Sequence, residues 1–390
     1  LIATSERMAA EGAVDLAVLC GLAAGFALHR QSRIDDIRRC CSQLLPLQGM
    51  ASALRVRLEM LYASVEEPSQ GMQRLQTLLA GQTNPRTSGR IWATLAHIAL
   101  KQFELEVFEE AIHKALPLHI DASDTRLEAT TRRLFGVWHR LKGRPEESLQ
   151  ALNRALLVSE ECRIWCHPQI LSQLGRTYFI QGGVRSSLRH FEKIIQNFGA
   201  ESCGVGVHES VATLHEILGE NDASLKAAQK MLRLQKKVGD PKRTCFAQAR
   251  VANALAALGE HAKALAYYEE ALAQGQILNI SEDWSLIIQY DRANLLVKMG
   301  RSDGLETAMA VATLCEKKNH TMLHNCRLIV AQAYRQKGND SAALQWATKS
   351  LNGALEREMR LPTVRAYLVQ GLLFGETGEV ESAQKNLATA

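Results

Sequence analysis

Cysteine and histidine residues cluster in two segments whose residue types could bind zinc. Cys162, Cys166 and His167 lie within one short segment. The second segment contains Cys315, His320, His324 and Cys326. Zinc sites in proteins use thiolate and imidazole ligands, but neither segment has a second ligand pair at the usual distance. We therefore expect packed thiols and imidazoles here and predict no metal site.

Other catalytic motifs are incomplete. His208-Glu209 begins like a zinc-protease helix, but the next histidine, His215, follows His208 by seven residues instead of four. Gly204 and Gly206 lack the third glycine and the preceding strand of a dinucleotide-binding motif, and the chain has no phosphate-binding loop of the Gly-x4-Gly-Lys type. We predict no catalytic residues, no cofactor and no enzymatic activity.

Composition and charge exclude further classes of protein. The 390 residues carry a formal net charge of +5, and basic residues occur in no run longer than a pair. This dispersed charge argues against direct nucleic-acid binding. The nine cysteines have no regular spacing, which indicates reduced thiols and a cytoplasmic protein. The apolar stretch 16–28 is shorter than the roughly 20 residues of a spanning helix, so we expect no membrane segment.

Seven glycines divide much of the chain into segments of similar length. These repeat glycines are Gly143, Gly182, Gly219, Gly259, Gly300, Gly338 and Gly378. They are spaced 37 to 41 residues apart, and each one ends a run of apolar and small residues at helical spacing and precedes a second such run. The pattern predicts one helical hairpin per segment. Stacked hairpins form an α-solenoid, which offers an extended surface for binding rather than a pocket for catalysis.

Counting each repeat glycine as position 15 aligns the segments residue by residue. Small residues then recur at position 8, namely Gly136, Gly175, Ala212, Ala252, Ala293, Ala331 and Gly371. Another small residue usually occupies position 20, and bulky residues recur at positions 11 and 24. The distance between two packed helices depends on the side chains at their contact, so positions 8 and 20 should let the helices of a hairpin approach closely.

This pattern resembles the tetratricopeptide repeat. One segment realises its consensus through Leu171, Leu174, Gly175, Tyr178, Gly182, Ser187, Phe191 and Ile194. Departures are Arg292 at the leucine of position 7, Arg132 and Arg327 at position 4, and the absence of the closing proline. The longer period resembles a variant found in sensor arms of bacterial signalling proteins and transcription regulators, including LuxR-type activators and arms attached to nucleotide cyclases.

The resemblance implies an all-α fold, a right-handed α-solenoid of about ten antiparallel helical hairpins. We expect a single array over residues 1–390 with no internal boundary. The expected hairpins span 1–47, 48–82, 88–120, 125–161, 166–199, 205–239, 243–280, 283–319, 322–358 and 362–390. Because the chain starts at Leu1 and stops within a repeat, we expect it to be a fragment of a larger protein.

The resemblance also implies a groove, since the first helix of each tetratricopeptide hairpin lines the concave face through positions 2, 5, 6, 9, 12 and 13. Position 9 carries three consecutive carboxamides, Asn253, Asn294 and Gln332. Such a ladder could hold an extended peptide by its backbone. The other groove residues considered are Arg133, Arg140, Arg176, Arg250, Tyr290, Asp291, Lys298 and Arg335.

By this resemblance the chain is a protein- or peptide-recognition arm that couples binding to an attached effector domain of a signalling protein. The basic lining suits an acidic peptide or protein, or a neighbouring domain of the same protein. Asparagine at position 9 is also the consensus of idealised repeats. A groove that is lined by solvated polar residues and binds no peptide is therefore an alternative interpretation. A passive assembly scaffold and an autoinhibitory arm of an attached enzyme are the alternative functions.

Overall fold

The computed structural model describes residues 1–30, 34–161, 167–201, 203–320, 322–357 and 359–389. Within these ranges the chain forms 21 α-helices and no strand, which confirms the all-helical prediction. The helices form two compact units, Leu1–Cys203 and Gly204–Ala390. The expectation of one array without an internal boundary stays a prediction.

Unit 1 contains the first eleven helices. They are α1 Ile2–Ala10, α2 Val14–Arg30, α3 Ile34–Leu44, α4 Ser52–Ala63, α5 Pro68–Ala80, α6 Pro85–Gln102, α7 Leu105–Asp121, α8 Thr125–Leu141, α9 Pro145–Glu161, α10 His167–Ile180 and α11 Val184–Phe198. From α6 onwards, the helices pack in consecutive pairs, α6 with α7, α8 with α9 and α10 with α11.

Unit 2 contains the remaining ten helices of the described chain. They are α12 Val205–Ile217, α13 Asn221–Val238, α14 Pro241–Ala257, α15 His261–Ile277, α16 Glu282–Lys298, α17 Gly304–Lys317, α18 Leu323–Gln336, α19 Asp340–Glu356, α20 Arg360–Glu376 and α21 Val380–Thr389. Each even-numbered helix is the first helix of a hairpin and the next odd-numbered helix is the second.

The segment 1–47 differs from the expected hairpin because it contains three helices, α1 to α3. Gly12 has a φ of +77° directly after α1, and the amide of Ala13 donates to the carbonyl of Met8 at 2.9 Å. This left-handed turn ends α1 after nine residues. Gly12 lies outside the register of the repeat glycines, so their spacing predicts no turn at this point.

Small residues at position 8 allow close packing within a hairpin, as the pattern predicted. A Cβ atom added to Gly136 would lie 2.4 Å from the side chain of Leu152, and one added to Gly175 would lie 2.7 Å from the ring of Phe191. Leu152 and Phe191 occupy position 24 and are 0% and 2% exposed. A bulky residue of the second helix therefore fills the space that the small residue of the first helix leaves.

In two hairpins the serine at position 20 links the two helices by a hydrogen bond. The hydroxyl of Ser148 donates to the carbonyl of Gly136 at 2.7 Å, and that of Ser224 donates to the carbonyl of Ala212 at 2.9 Å. Both serines are buried. Positions 8 and 20 thus meet in each of these hairpins, which sets the register of one helix against the other.

The apolar stretch 16–28 forms most of α2. Among the residues that the structure describes, no helix combines the length and the apolar character needed to cross a membrane.

Replacing Gly259 by alanine should destabilise unit 2 by about 1 kcal/mol. Gly259 has a φ of +82°, and an added Cβ atom would meet nothing within 4 Å, so the penalty comes from backbone conformation alone. Urea unfolding followed by circular dichroism measures the change. Gly206→Ala is the matched control, since Gly206 lies in α12 with equally open space and no positive φ. Equal losses in both variants would contradict this account.

Candidate peptide-binding site

The first helices of consecutive hairpins lie side by side in unit 2. Each of α12, α14, α16 and α18 contacts the next first helix along the unit. Residues at the same repeat position, about 40 residues apart in sequence, therefore become neighbours in space. This arrangement gathers the polar groove residues of unit 2 on one face.

Asn253 is held by two neighbouring side chains. Its Nδ2 donates to Oδ2 of Asp291 at 3.1 Å, and its Oδ1 accepts a hydrogen bond from the hydroxyl of Tyr268. Tyr268 belongs to α15, is 2% exposed, and reaches Asn253 from below the face. The two partners orient the amide of Asn253. They also occupy one of its N–H donors and its carbonyl acceptor within the protein.

Arg250 is also engaged within the face. Its Nη2 donates to Oγ1 of Thr213 at 2.7 Å and lies 3.3 Å from Oε2 of Glu216. The Arg250 side chain is 15% exposed. Removal of the carboxylate of Glu216 would therefore leave a largely buried guanidinium without its salt-bridge partner. Arg250 therefore joins α14 to α12 and is balanced by a carboxylate of its own unit.

Asp291 has an unusual protonation equilibrium. Burial raises the pKa of its carboxyl from 3.8 to about 6, although the hydrogen bond from Asn253 and the positive charges of Arg250 and Lys298 act in the opposite direction. The negative charge of Glu216 adds to the increase. Near neutral pH the face therefore holds a carboxylate close to its titration point.

A small cavity of about 110 Å³ opens beside these groups. Its polar lining consists of Glu216, Asn253, Tyr268, Asp291, Asn294 and Lys298. Within the described ranges, the amide of Asn294 and the ammonium of Lys298 make no hydrogen bond and no ion pair with the protein. Asn294 therefore keeps its hydrogen-bonding groups for a ligand, and Lys298, whose charge acts on Asp291 without a salt bridge, keeps its N–H donors. The cavity has room for one functional group of a ligand.

The remaining predicted residues of unit 2 differ in how they are used. Arg335 donates to Glu376 from both Nε and Nη2, which form one edge of the guanidinium, with Nε and Oε2 2.7 Å apart. Gln332 is half-buried on α18, and its amide has no hydrogen-bond partner among the residues described. Tyr290 packs against the core of unit 2, and burial raises the pKa of its hydroxyl to about 12. Gln332 is thus the second free carboxamide of the predicted ladder.

Unit 1 carries the other three predicted residues. Nη2 of Arg140 on α8 donates to Oε1 of Gln173 on α10 at 3.0 Å, whereas its Nε is buried and has no hydrogen-bond partner among the described residues. Burial lowers the pKa of the Arg140 guanidinium, and the exposed cation of Arg176 lowers it further. Arg133 is half-buried on α8 and interacts with other residues of the protein. Arg140 and Arg176 therefore form a pair of like charges.

Sequence reasoning missed three members of the unit 2 face, namely Thr213 as a partner of Arg250, Glu216 and the hydroxyl of Tyr268. Glu216 lies at position 12, one of the positions that the repeat register assigns to the groove. The same register could therefore have identified it. Tyr268 lies at position 24, where bulky residues indicate packing, and no pattern in the sequence indicates that its hydroxyl reaches Asn253.

The metal-ligand candidates form no group of three in the described part of the chain. Cys162 and Cys166 lie outside the described residues. Sγ of Cys315 and Sγ of Cys326 are 3.6 Å apart and buried, while Nε2 of His320 faces Oδ1 of Asp283 at 3.4 Å. Among the described residues, no group of three or more potential ligands could hold a metal ion.

Comparison with known proteins places this arrangement among helical repeat folds. No protein-family model matches the chain, and no curated protein matches it. The apo form of the quorum sensor NprR from B. thuringiensis has 11% identity and a TM-score of 0.64, over 87% of this chain and 99% of that one. A Rap protein complexed with competence and sporulation factor has 13% identity and a TM-score of 0.59, over 96% of each chain.

A third similar structure has a larger architecture. It is a Signal Transduction ATPase with Numerous Domains with a tetratricopeptide repeat sensor, from Pyrococcus horikoshii, with 16% identity and a TM-score of 0.50. The match covers 86% of this chain and 54% of the ATPase, so this chain spans about half the length of that protein. The predicted fold is confirmed, since the chain is a tetratricopeptide-like helical repeat protein.

The raised pKa of Asp291 predicts a pH dependence of stability. The folded protein holds this proton more tightly than the unfolded chain, so the free energy of unfolding should fall as the pH rises from about 4 to about 6. The full effect is at most about 3 kcal/mol. Asp291→Asn keeps an acceptor for Asn253 and should flatten this part of the profile in urea unfolding.

Glu306→Gln serves as the control for this measurement, since Glu306 is an exposed carboxylate on α17. It should keep the slope of the unmodified protein. An unchanged slope in Asp291→Asn would show that the carboxyl of Asp291 does not titrate in this range.

Proposed function

We propose that the chain is a peptide- or protein-recognition arm and that the first-helix face of unit 2 contacts the ligand. The observation that carries this proposal is the pair of free groups, Asn294 and Lys298, beside a cavity whose other wall is organised by Asn253 and Asp291. Fixed polar groups next to free ones favour binding, because the site loses little entropy when a ligand arrives.

The free carboxamides suit an extended peptide backbone. An amide side chain can donate to a peptide carbonyl and accept from a peptide N–H at the same time. Asn294 and Gln332 occupy the same position on α16 and α18, which are adjacent first helices. In this proposal these two residues bind the backbone, while Asn253 keeps the carboxyl of Asp291 in place.

Charge supports a carboxylate-bearing ligand at one point of this face. Arg250 and Arg335 are balanced by Glu216 and Glu376 within unit 2, so they add little net attraction. Lys298 is exposed and has no salt bridge with a described residue. A carboxylate of the ligand would therefore be attracted to Lys298.

Proteins of this fold support a regulatory role. The NprR structure is that of a quorum sensor, the Rap protein was crystallised with a competence and sporulation factor, and the Pyrococcus ATPase carries a repeat sensor. We infer that ligand binding here shifts the conformations of the arm and so regulates an attached effector domain. A passive scaffold would bind its partners without such a shift, and an autoinhibitory arm would release an attached enzyme on binding.

The first test concerns the free carboxamide. Short fluorescent peptides in acidic, basic and uncharged sets are titrated with the protein, and affinity is measured by fluorescence polarisation. Asn294→Ala should weaken binding about five- to tenfold, the equivalent of one net hydrogen bond or slightly more. Asn352→Ala, on the exposed surface of α19, is the matched control and should bind like the unmodified protein. Equal affinities of the two variants would sink the proposed role of Asn294.

The second test concerns ligand charge. Lys298→Gln removes the free cation and should reduce the preference for acidic over uncharged peptides by a few fold at low salt, an effect that shrinks as salt screens the charge. Affinity for uncharged peptides should stay unchanged. A preference that survives in Lys298→Gln would place the electrostatic recognition elsewhere in the chain.

A further inference from the structure

A second cavity of unit 2 lies on another side of α16. It is a cleft of about 510 Å³ between α15, α16 and α17. Ser285, Gln289 and Arg292 form its floor, whereas Asp291, Asn294 and Lys298 of the same helix face the peptide site. Residues of an α-helix are 100° apart, so these two sets point in different directions. The cleft is therefore separate from the proposed peptide site.

Arg292 is the one charged residue at position 7 of the seven repeats. Four of the other repeats carry a buried aliphatic residue there, namely Leu174, Val211, Val251 and Val330, and the remaining two carry Phe135 and Gln370. These side chains pack between the first helix and the second helices around it. A guanidinium cannot take the place of an aliphatic group in a dry helix contact without losing its solvation. The cleft opens where the repeat departs from its own packing rule.

The guanidinium of Arg292 has N–H donors that are not used in hydrogen bonds with the described residues. Its Nε is buried and has no hydrogen-bond partner among the described residues. Its Nη2 lies 3.6 Å from Oε1 of Glu269, a contact longer than a hydrogen bond, and the Glu269 side chain is 61% exposed. Arg292 itself is only 27% exposed. A half-buried cation whose nearest carboxylate is loosely held and solvated would gain from a closer anion.

The rest of the lining combines polar and apolar groups. Gln289 donates from Nε2 to Oγ of Ser285 at 3.0 Å, so these side chains are ordered on the floor next to Arg292. Leu272, Ile280 and Val311 supply apolar wall. The volume falls within the roughly 300 to 1,000 Å³ of pockets for small ligands. The lining would thus complement a molecule with a charged end and an apolar body.

We propose that this cleft binds a small carboxylate with an apolar body, with the carboxylate on Arg292 and the body against Leu272, Ile280 and Val311. The planar fork of arginine matches the two oxygens of a carboxylate. A phosphate is disfavoured because Arg292 is the single cation of the lining, and Glu282 at the rim is an acid already bound to Lys318. The site is independent of peptide binding by the face that carries Asn294.

The test uses octanoate as the probe, with octanol and octylammonium as its uncharged and cationic counterparts, in isothermal titration calorimetry. Octanoate should bind more tightly than either counterpart. Arg292→Leu should weaken octanoate roughly ten- to hundredfold, the effect of losing a hydrogen bond to a charged group, and leave octanol within a few fold. This variant restores the aliphatic residue of position 7, so it is expected to fold, which a thermal unfolding curve checks.

Two further variants separate the possible outcomes. Glu269→Gln removes the competing carboxylate and should strengthen octanoate binding by a few fold. Asn294→Ala should leave octanoate binding unchanged, even if it abolishes peptide binding, so each proposal can fail without the other. Octanoate that binds Arg292→Leu as tightly as the unmodified protein, octylammonium that binds equally well, or no binding of octanoate at millimolar concentration would each overturn the assignment.

Discussion

The close approach of the two helices within each hairpin is the constraint on which the rest of the structure depends. At Gly136 and Gly175 the space of a missing side chain is filled by Leu152 and Phe191 of the partner helix. Protein interiors tolerate few voids, so this exchange of small against large sets both the distance and the register of the pair. In unit 2 the first helices of successive hairpins lie side by side.

That stacking creates the polar face of unit 2 and fixes its members relative to each other. Asn253 and Asp291 are 38 residues apart, yet their side chains are hydrogen-bonded across two adjacent first helices. The buried hydroxyl of Tyr268 holds the same amide from the second helix of the hairpin. A network with several partners is stiffer than a single bond, so the carboxyl of Asp291 is presented in a defined position.

Whether a polar group is already satisfied decides what it can do for a ligand. Arg250 and Arg335 are bound to carboxylates of their own unit and serve mainly to join neighbouring helices. Asn294 and Lys298 lack such partners in the described chain, and the ion-pair contact of Arg292 with the described residues is a long one, to Glu269. One helix, α16, thus carries free groups towards two cavities, because its sequence departs from the packing consensus at position 7 while keeping it at position 8.

The sequence by itself determined the helical class, the repeat length and the register, since these depend on local spacing that recurs in every hairpin. The repeat register predicted that Asn253, Asn294 and Arg250 share one face. It did not predict the three helices of 1–47, because the turn at Gly12 lies outside that register. Only the tertiary structure decided which of these groups are engaged and that Arg292 lines a cleft. Hydrogen bonds between helices join residues that are 15 to 41 positions apart in sequence, as for Tyr268 with Asn253 and Arg335 with Glu376. They depend on the geometry of the two side chains, which no periodic pattern encodes.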